Sequence, residues 1–242
     1  MKFLNLLKNP LREFGINSEV PGQEPIFLKY FYDEFAWYYP KCEVNTKRWF
    51  VQNVKKNWIC VDAGANVGIY TILLSRLCPE GFIYAFEPTQ TVEMLKKNCQ
   101  YHQIENIKIV PKALGAQPGL RKEKIYKIWG IEPKRKKFFF TTIDKFLEEE
   151  NVKAVNLIKI DVDSFDFEVL QGTQKTMQNY NPWLVVELNH ALAKRGQSNS
   201  EAFLWLRRQG YSSALVIDHE NFILKRGESF SGDSFELVYP VD

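Results

Sequence analysis

Histidine is scarce in this 242-residue chain: there are three, at positions 102, 190 and 219, and none lies near another in sequence. The four cysteines, Cys42, Cys60, Cys78 and Cys99, include no C-x-x-C pair. These scarcities speak against a structural zinc site and against a disulfide framework. Three of the cysteines fall on an apolar strand or apolar helix faces, which fits reduced core residues of a cytoplasmic protein. No window approaches the roughly 20 apolar residues of a membrane span. Charge of one sign is also lacking: a net +3 gives no whole-chain argument for a nucleic-acid or membrane partner. Missing too is the G-x-G-x-x-G spacing with which dinucleotide-binding folds seat a pyrophosphate.

What stands there instead is ICVDAGANV, Ile59 to Val67, closing on Gly68. Ile59-Cys60-Val61 reads as a buried strand, Asp62 as its carboxyl end, Gly64 as a turn, and Gly68 as the start of a helix through Ile69, Ile72, Leu73 and Leu77. A glycine turn lets backbone approach a ligand closely, and the helix behind it offers unpaired N–H groups. The spacing is D-x-G-x-N-x-G, with Asn66 between the glycines. An acid at this strand end repels phosphate and favours a cationic amino-acid head group, as in S-adenosylmethionine. A second strand, Phe82 to Phe86, ends in Glu87, the place from which an acid hydrogen-bonds ribose hydroxyls. Either acid alone is as well explained by helix capping. In this order, Asp62, Gly64, Asn66, Gly68 and Glu87 describe a site for a nucleoside with a positively charged tail.

With 45% apolar residues the chain can bury one α/β core. Strands and helices alternate through Val92–Cys99 and Ile107–Val110, which predicts a parallel sheet covered on both faces. The expected division is an N-terminal helical and aromatic extension over 1–55 and a catalytic domain over 56–242. In the extension, Phe3, Leu4, Leu7, Leu11 and Phe14 can share a helical face that packs on the domain or a second subunit, or rests weakly on a membrane surface. The apolar part is interrupted by Asn5 and Lys8 and lacks a small-residue cleavage site, so it is not expected to be a signal peptide. The aromatic run Tyr30 to Pro40 suits either a sugar or ring pocket or, more plainly, a cover for a core edge. Residues 115–140 break the βαβ rhythm as an insertion, in which Lys124 to Trp129 alternates like a hairpin arm. The basic run Lys134 to Lys137 follows, and reads first as a solvated turn and second as a contact for substrate phosphate.

A fourth strand, Leu157 to Ile160, ends in Asp161, with Asp163 two residues on and Asp166 opening a helix. Ligands of open α/β sheets collect outside the carboxyl ends of the strands, where Asp62, Glu87 and Asp161 converge. A fifth strand, Trp183 to Val186, leads to Glu187, Asn189 and His190. Asp161 or Asp163 with Glu187 and Asn189 offers oxygen ligands for magnesium, but no compact spacing demands it and no metal is expected.

These motifs resemble the FkbM family of S-adenosylmethionine-dependent methyltransferases. VDAGANVGIYT is similar to that family's cofactor signature, AFEP to its ribose-binding acid, TTIDKFL to its threonine-acid element and IKIDVDSFDFEVLQG to its D-V-E-G-x-E-x-x-V-L-x-G hallmark. Two departures stand out: Asp163 and Asp166 replace glutamates, and Ser164 replaces glycine. The resemblance runs from Trp58 to His190. It implies a Rossmann-like class I methyltransferase fold, a mostly parallel seven-stranded sheet with helices on both faces and an antiparallel last strand. It also implies methyl transfer to a hydroxyl of a sugar, glycan or related small molecule. In that chemistry Asp161 and Asp163, and then His190, are the candidates for base or acceptor orientation, and Asp161 also borders the cofactor. Two other readings remain: an RNA methyltransferase served by the basic run, and a nucleoside-binding scaffold without catalysis.

Overall fold

The computed structural model describes residues 14–128, 130–230 and 234–237. The N-terminal stretch with Phe3, Leu4, Leu7 and Leu11, and Trp129, lie outside the described residues.

Two short strands, β1 (Ile16–Ser18) and β2 (Ile26–Leu28), pair antiparallel, and two 3-10 turns, Asp33–Phe35 and Tyr39–Lys41, lead to helix α1 (Val44–Asn53). The main alternation follows: β3 (Ile59–Ala63), α2 (Ile69–Leu77), β4 (Phe82–Phe86), α3 (Val92–Tyr101) and β5 (Ile107–Val110). The insertion contributes β6 (Ala113–Leu114), β7 (Gly119–Glu123) and β8 (Lys136–Thr141), a small sheet in the order β6-β8-β7. The chain then continues through α4 (Ile143–Glu149), β9 (Leu157–Ile160), α5 (Asp166–Gln171), α6 (Gln174–Tyr180) and β10 (Trp183–Glu187). Helix α7 (Asn199–Arg208) and strands β11 (Ser213–Ile217), β12 (Asn221–Leu224) and β13 (Ser234–Glu236) complete it.

The large sheet runs β13-β11-β12-β10-β9-β3-β4-β5. Its five strands from β5 to β10 are mutually parallel, and β12, β11 and β13 are antiparallel to their neighbours. The fold is thus the mostly parallel α/β sheet expected, with eight strands instead of seven because β13 adds to the free edge of β11. Near-continuous apolar strands such as LIKI and WLVVE are what a sheet covered on both faces requires. Successive side chains alternate between two cores. Val61, Ile158, Ile160, Leu184 and Val186 face one, with α4, α5 and α7. Cys60, Leu157 and Val185 face the other, with α2 and the N-terminal residues Val20, Ile26, Leu28, Phe31, Trp49 and Phe50. All four cysteines are buried and free.

The expected hairpin arm at Lys124 to Trp129 is not a strand over its described residues; the arms are β7 and β8, on either side of it. The reason lies in packing: Phe140 is buried and the Arg121 guanidinium stacks 4.3 Å from its ring centre, which anchors the pair β7–β8. Ile125, Tyr126 and Lys127 are turned instead towards a cavity.

Candidate active site

The site forms where β3, β4, β9 and β10 end. The β3–α2 turn folds back so that the amides of Gly64 and Ala65 both donate to the Phe86 carbonyl, at 3.1 and 2.9 Å, joining the ends of β3 and β4. Gly64 has φ +88, and a Cβ there would press into the Asp161 carbonyl group of β9. Gly68, at φ +104, opens α2 against Leu95. Only glycine combines this backbone with this closeness. Asn66 takes the left-handed conformation at φ 48 and donates its amide to Glu87 Oε2 at 3.1 Å.

Glu87 is buried and also accepts from the Thr89 amide and hydroxyl. Burial raises its pKa, and these hydrogen bonds oppose that shift. A carboxylate has about four acceptor positions, so capacity remains for ribose hydroxyls. Asp62 is fully buried; Thr71 donates to its Oδ2 at 2.6 Å, while its Oδ1 has no partner. It stands behind the cavity wall rather than on it.

Sequence reasoning passed over Lys159, although a cation inside an apolar strand is itself a signal, because a buried charge requires partners. In register, Lys159 lies opposite Asp62 on the neighbouring strand, and it donates to Asp161 Oδ2 at 2.9 Å. Its ammonium also sits 4.6 Å from the centre of the Tyr70 ring. Burial disfavours its charge, but Asp161, Asp62 and Glu43 outweigh this and raise its pKa.

Beyond Asp161 the chain makes a 3-10 turn, Asp163–Phe165, before α5. The left-handed residue is Asp163, at φ 58, and not Ser164, so the serine in place of glycine carries no conformational cost. Asp166 turns back to accept the Val162 amide at 2.8 Å and locks this corner. Burial, reinforced by the Asp161 carboxylate and opposed by Lys194, pushes the Asp163 carboxyl up to about 6. Glu187, at the end of β10, is pushed up to about 10 by burial and by Asp161, Asp166, Glu43 and Asp163 around it. His190 begins a 3-10 turn and is exposed at the rim.

These residues line one cavity of about 900 Å³. Gly64, Asn66, Glu87, Asp161, Asp163, Glu187, Asn189 and His190 share its wall, whereas Asp62 and Gly68 support it from behind. The aromatic run proves to be more than an edge cover: Phe35, Trp37, Tyr38 and Tyr39 line the cavity. Asn98 on α3 holds this segment in place by bonding the backbone of Lys29, Tyr30 and Val67. Glu43, which follows the aromatic run, also reaches the wall; no local sequence pattern announces it. Among the described residues, no group of three His, Cys, Asp or Glu side chains is arranged to hold a metal ion.

The site fits S-adenosylmethionine by the chemistry of its donors and acceptors. An orphaned carboxylate oxygen lies behind the turn, a buried carboxylate ends the second strand, and a backbone cradle stands where a side chain would intrude. Comparison with known proteins agrees. A family model described as "Methyltransferase FkbM domain" matches residues 62–213. The curated protein "Methyltransferase 1" of Beauveria bassiana (strain ARSEF 2860) is 27% identical over 157 residues, which are 53% of this chain and 63% of that protein. The chain therefore matches less than two thirds of that relative's length. Among solved structures, Methyltransferase FkbM from Methylobacillus flagellatus KT superposes with a TM-score of 0.52 at 15% identity, over 71% of this chain and 44% of that one. The Methanococcus jannaschii fibrillarin pre-rRNA processing protein superposes with a TM-score of 0.51 at 12% identity, over 92% and 86%. At such identities the two structures show a common fold alone. The match over residues 62–213 goes further: this chain belongs to the FkbM family of S-adenosylmethionine-dependent methyltransferases.

Proposed function

We propose that this protein transfers a methyl group from S-adenosylmethionine to a hydroxyl of a sugar, glycan or related small-molecule acceptor. The observation that carries the reading is the continuity of the cavity. It runs from the glycine turn, past Asp161 and Asp163, to Glu187 and the aromatic wall. Ligand sites usually occupy ~300–1,000 Å³, so a cavity of about 900 Å³ has room for donor and acceptor side by side.

The bound cofactor supplies an electrophilic sulfonium methyl. The chain's own task is alignment and proton removal. Asn66 and Glu87 hold the nucleoside, with Asp62 and Gly68 shaping the turn from behind. Asp161, fixed by Lys159, orients the acceptor. Asp163, whose pKa lies just below neutrality, takes the hydroxyl proton. His190, at the open rim, is second choice for that role. The aromatic wall keeps water from the reacting groups.

The basic run does not favour an RNA acceptor: Lys134, Arg135, Lys136 and Lys137 are exposed, and none lines the cavity. Thermal-shift titration tests the cofactor. S-adenosylmethionine and S-adenosylhomocysteine should raise the melting temperature and NAD should not. Labelled-methyl transfer then tests the acceptor: label in a glycan or small-metabolite pool supports the reading, whereas label confined to RNA replaces it and no transfer to any pool leaves the scaffold reading.

A further inference from the structure

Around Glu87 the cavity wall holds polar atoms that find no partner among the described residues. The Tyr39 hydroxyl is shut off from solvent, in a residue only 4% exposed, and makes no hydrogen bond. The side-chain oxygen of Asn66, whose amide is bonded to Glu87, is likewise enclosed and without a partner. Both residues line the cavity. A buried polar atom left open in this way costs free energy, and a ligand that bonds it removes the cost.

Tyr39 lies outside the matched residues 62–213, and its backbone is fixed from several sides. Its carbonyl accepts from the Ser18 hydroxyl at 2.6 Å and from the Cys42 thiol at 3.4 Å, and Ser18 in turn accepts from the Nζ of the fully buried Lys47 at 3.1 Å. The Pro40 carbonyl accepts from the Glu19 amide at 2.8 Å. The start of α1 is held from the β11–β12 turn: Asp218 accepts from the Asn45 side chain and from both the amide and hydroxyl of Thr46, at 2.8 to 2.9 Å. Close by, Asn221 Nδ2 donates to Glu43 Oε1 at 2.7 Å. From this anchor the Tyr39 ring packs against Phe35, 5.3 Å between ring centres, and its hydroxyl has Cys42, Tyr32 and Glu87 as ionisable neighbours. Tyr32 is itself linked to Glu87 by a file of hydroxyls. It bonds Thr91 at 2.7 Å, the Thr91 and Thr89 hydroxyls are 2.8 Å apart, and Thr89 reaches Glu87 Oε1 at 2.6 Å.

We propose that Tyr39 binds the methyl donor, its hydroxyl donating to a ribose hydroxyl that in turn donates to Glu87. A carboxylate only accepts, so a ribose hydroxyl bonded to it still has an oxygen that calls for a donor. Burial pushes the Tyr39 phenol up, so it keeps its proton and can be that donor. The adjacent Tyr38 has Glu43, Cys42, Asp161 and Glu187 around its hydroxyl and not Glu87, so the two neighbouring tyrosines serve different parts of the cavity. The assignment rests on the cofactor reading and brings the N-terminal extension into recognition of the donor, a part that the residues from Asp62 to Glu87 do not reveal.

Titration calorimetry on the full chain, with S-adenosylhomocysteine and its analogues lacking the ribose 2′- or 3′-hydroxyl, tests it. Tyr39→Phe removes the unpaired hydroxyl alone. It should keep or raise the ligand-free melting temperature, yet bind S-adenosylhomocysteine about three- to tenfold more weakly. The unsubstituted chain should lose affinity for the analogue that lacks the hydroxyl met by Tyr39, and Tyr39→Phe should lose less for that same analogue, because the two changes remove one shared bond. Tyr38→Phe should bind S-adenosylhomocysteine as tightly as the unsubstituted chain. Unchanged affinity in Tyr39→Phe, an equal loss in Tyr38→Phe, or fully additive losses with both analogues would overturn the role of Tyr39 and leave the donor site standing. Failure of the unsubstituted chain to bind S-adenosylhomocysteine would instead strike the cofactor reading itself.

Discussion

Gly64→Ala adds one methyl group at the tightest point of the cofactor cradle. The new Cβ would lie 2.8 Å from the Asp161 carbonyl carbon and closer still to its oxygen, both of them backbone atoms. Ordinary carbon–carbon contact begins near 3.5 Å, so the β3–α2 turn and β9 must part by at least ~0.7 Å. The backbone at φ +88 adds about 1–2 kcal/mol for any residue with a Cβ. Overpacking adds about 1–3 kcal/mol. At roughly 2–4 °C per kcal/mol for a chain of this size, the melting temperature should fall by about 4–20 °C. The two amide bonds to the Phe86 carbonyl move with the turn. Because this turn lines the cofactor cavity, its displacement should also weaken S-adenosylhomocysteine binding. Gly22→Ala is the control, since Gly22 has φ +74 but open space around its Cβ position. It carries the backbone cost alone. Calorimetric melting and titration of both variants decide the matter. Equal losses of stability, or unchanged S-adenosylhomocysteine affinity in Gly64→Ala, would refute the close-approach argument.

Asp163 should give kcat/KM an acidic limb near pH 6, because its carboxyl must ionise to accept a proton; in Asp163→Asn that limb should vanish together with most of the rate. Its pKa is raised in the folded state, so the folded chain holds more protons than the unfolded one between about pH 4 and 6. Stability therefore declines as pH rises through that window, a slope that urea titrations should find shallower in Asp163→Asn, with the remainder set by the other carboxyls that burial raises, Glu87 and Glu187 among them. Asp161→Asn should abolish turnover while S-adenosylhomocysteine affinity, followed by titration calorimetry, stays within about threefold; unchanged turnover removes Asp161 from the reaction. Lys159→Met leaves Asp62 buried without its cation and should destabilise by about 3–5 kcal/mol in chemical denaturation. Treatment with EDTA should leave the rate unchanged, and recovery of a lost rate with magnesium would contradict the acid–base account.

The donor side of the site was legible because its signals are local. A strand that must be apolar on both faces, an acid at its end and glycines where the turn crosses β9 all fall within ten residues, from Ile59 to Gly68. The rest of the cavity wall is assembled from distant pieces, and no spacing marks Glu43 or the aromatic residues that join it. Glu43 owes its place to Asn221 and to the cap that Asp218 supplies. The aromatic run reads equally well as a cover or a wall until Asn98 fixes which way its backbone runs. Alternation misled at Lys124 to Trp129, because Ile125, Tyr126 and Lys127 in succession line the cavity instead of pairing in a strand.

The cap that Asp218 places on α1 joins residues 173 positions apart, Asn45 and Asp218, and neither lies in the matched segment 62–213. The cavity wall is therefore drawn from three stretches of chain: the middle one supplies the glycine turn and the strand-end acids, and the two flanks, tied to each other by this cap and by the bond from Asn221 to Glu43, meet at one side of it. A change at Asp218 or Asn221 thus reaches the cavity through α1 and Glu43, on the far side of the sequence from it.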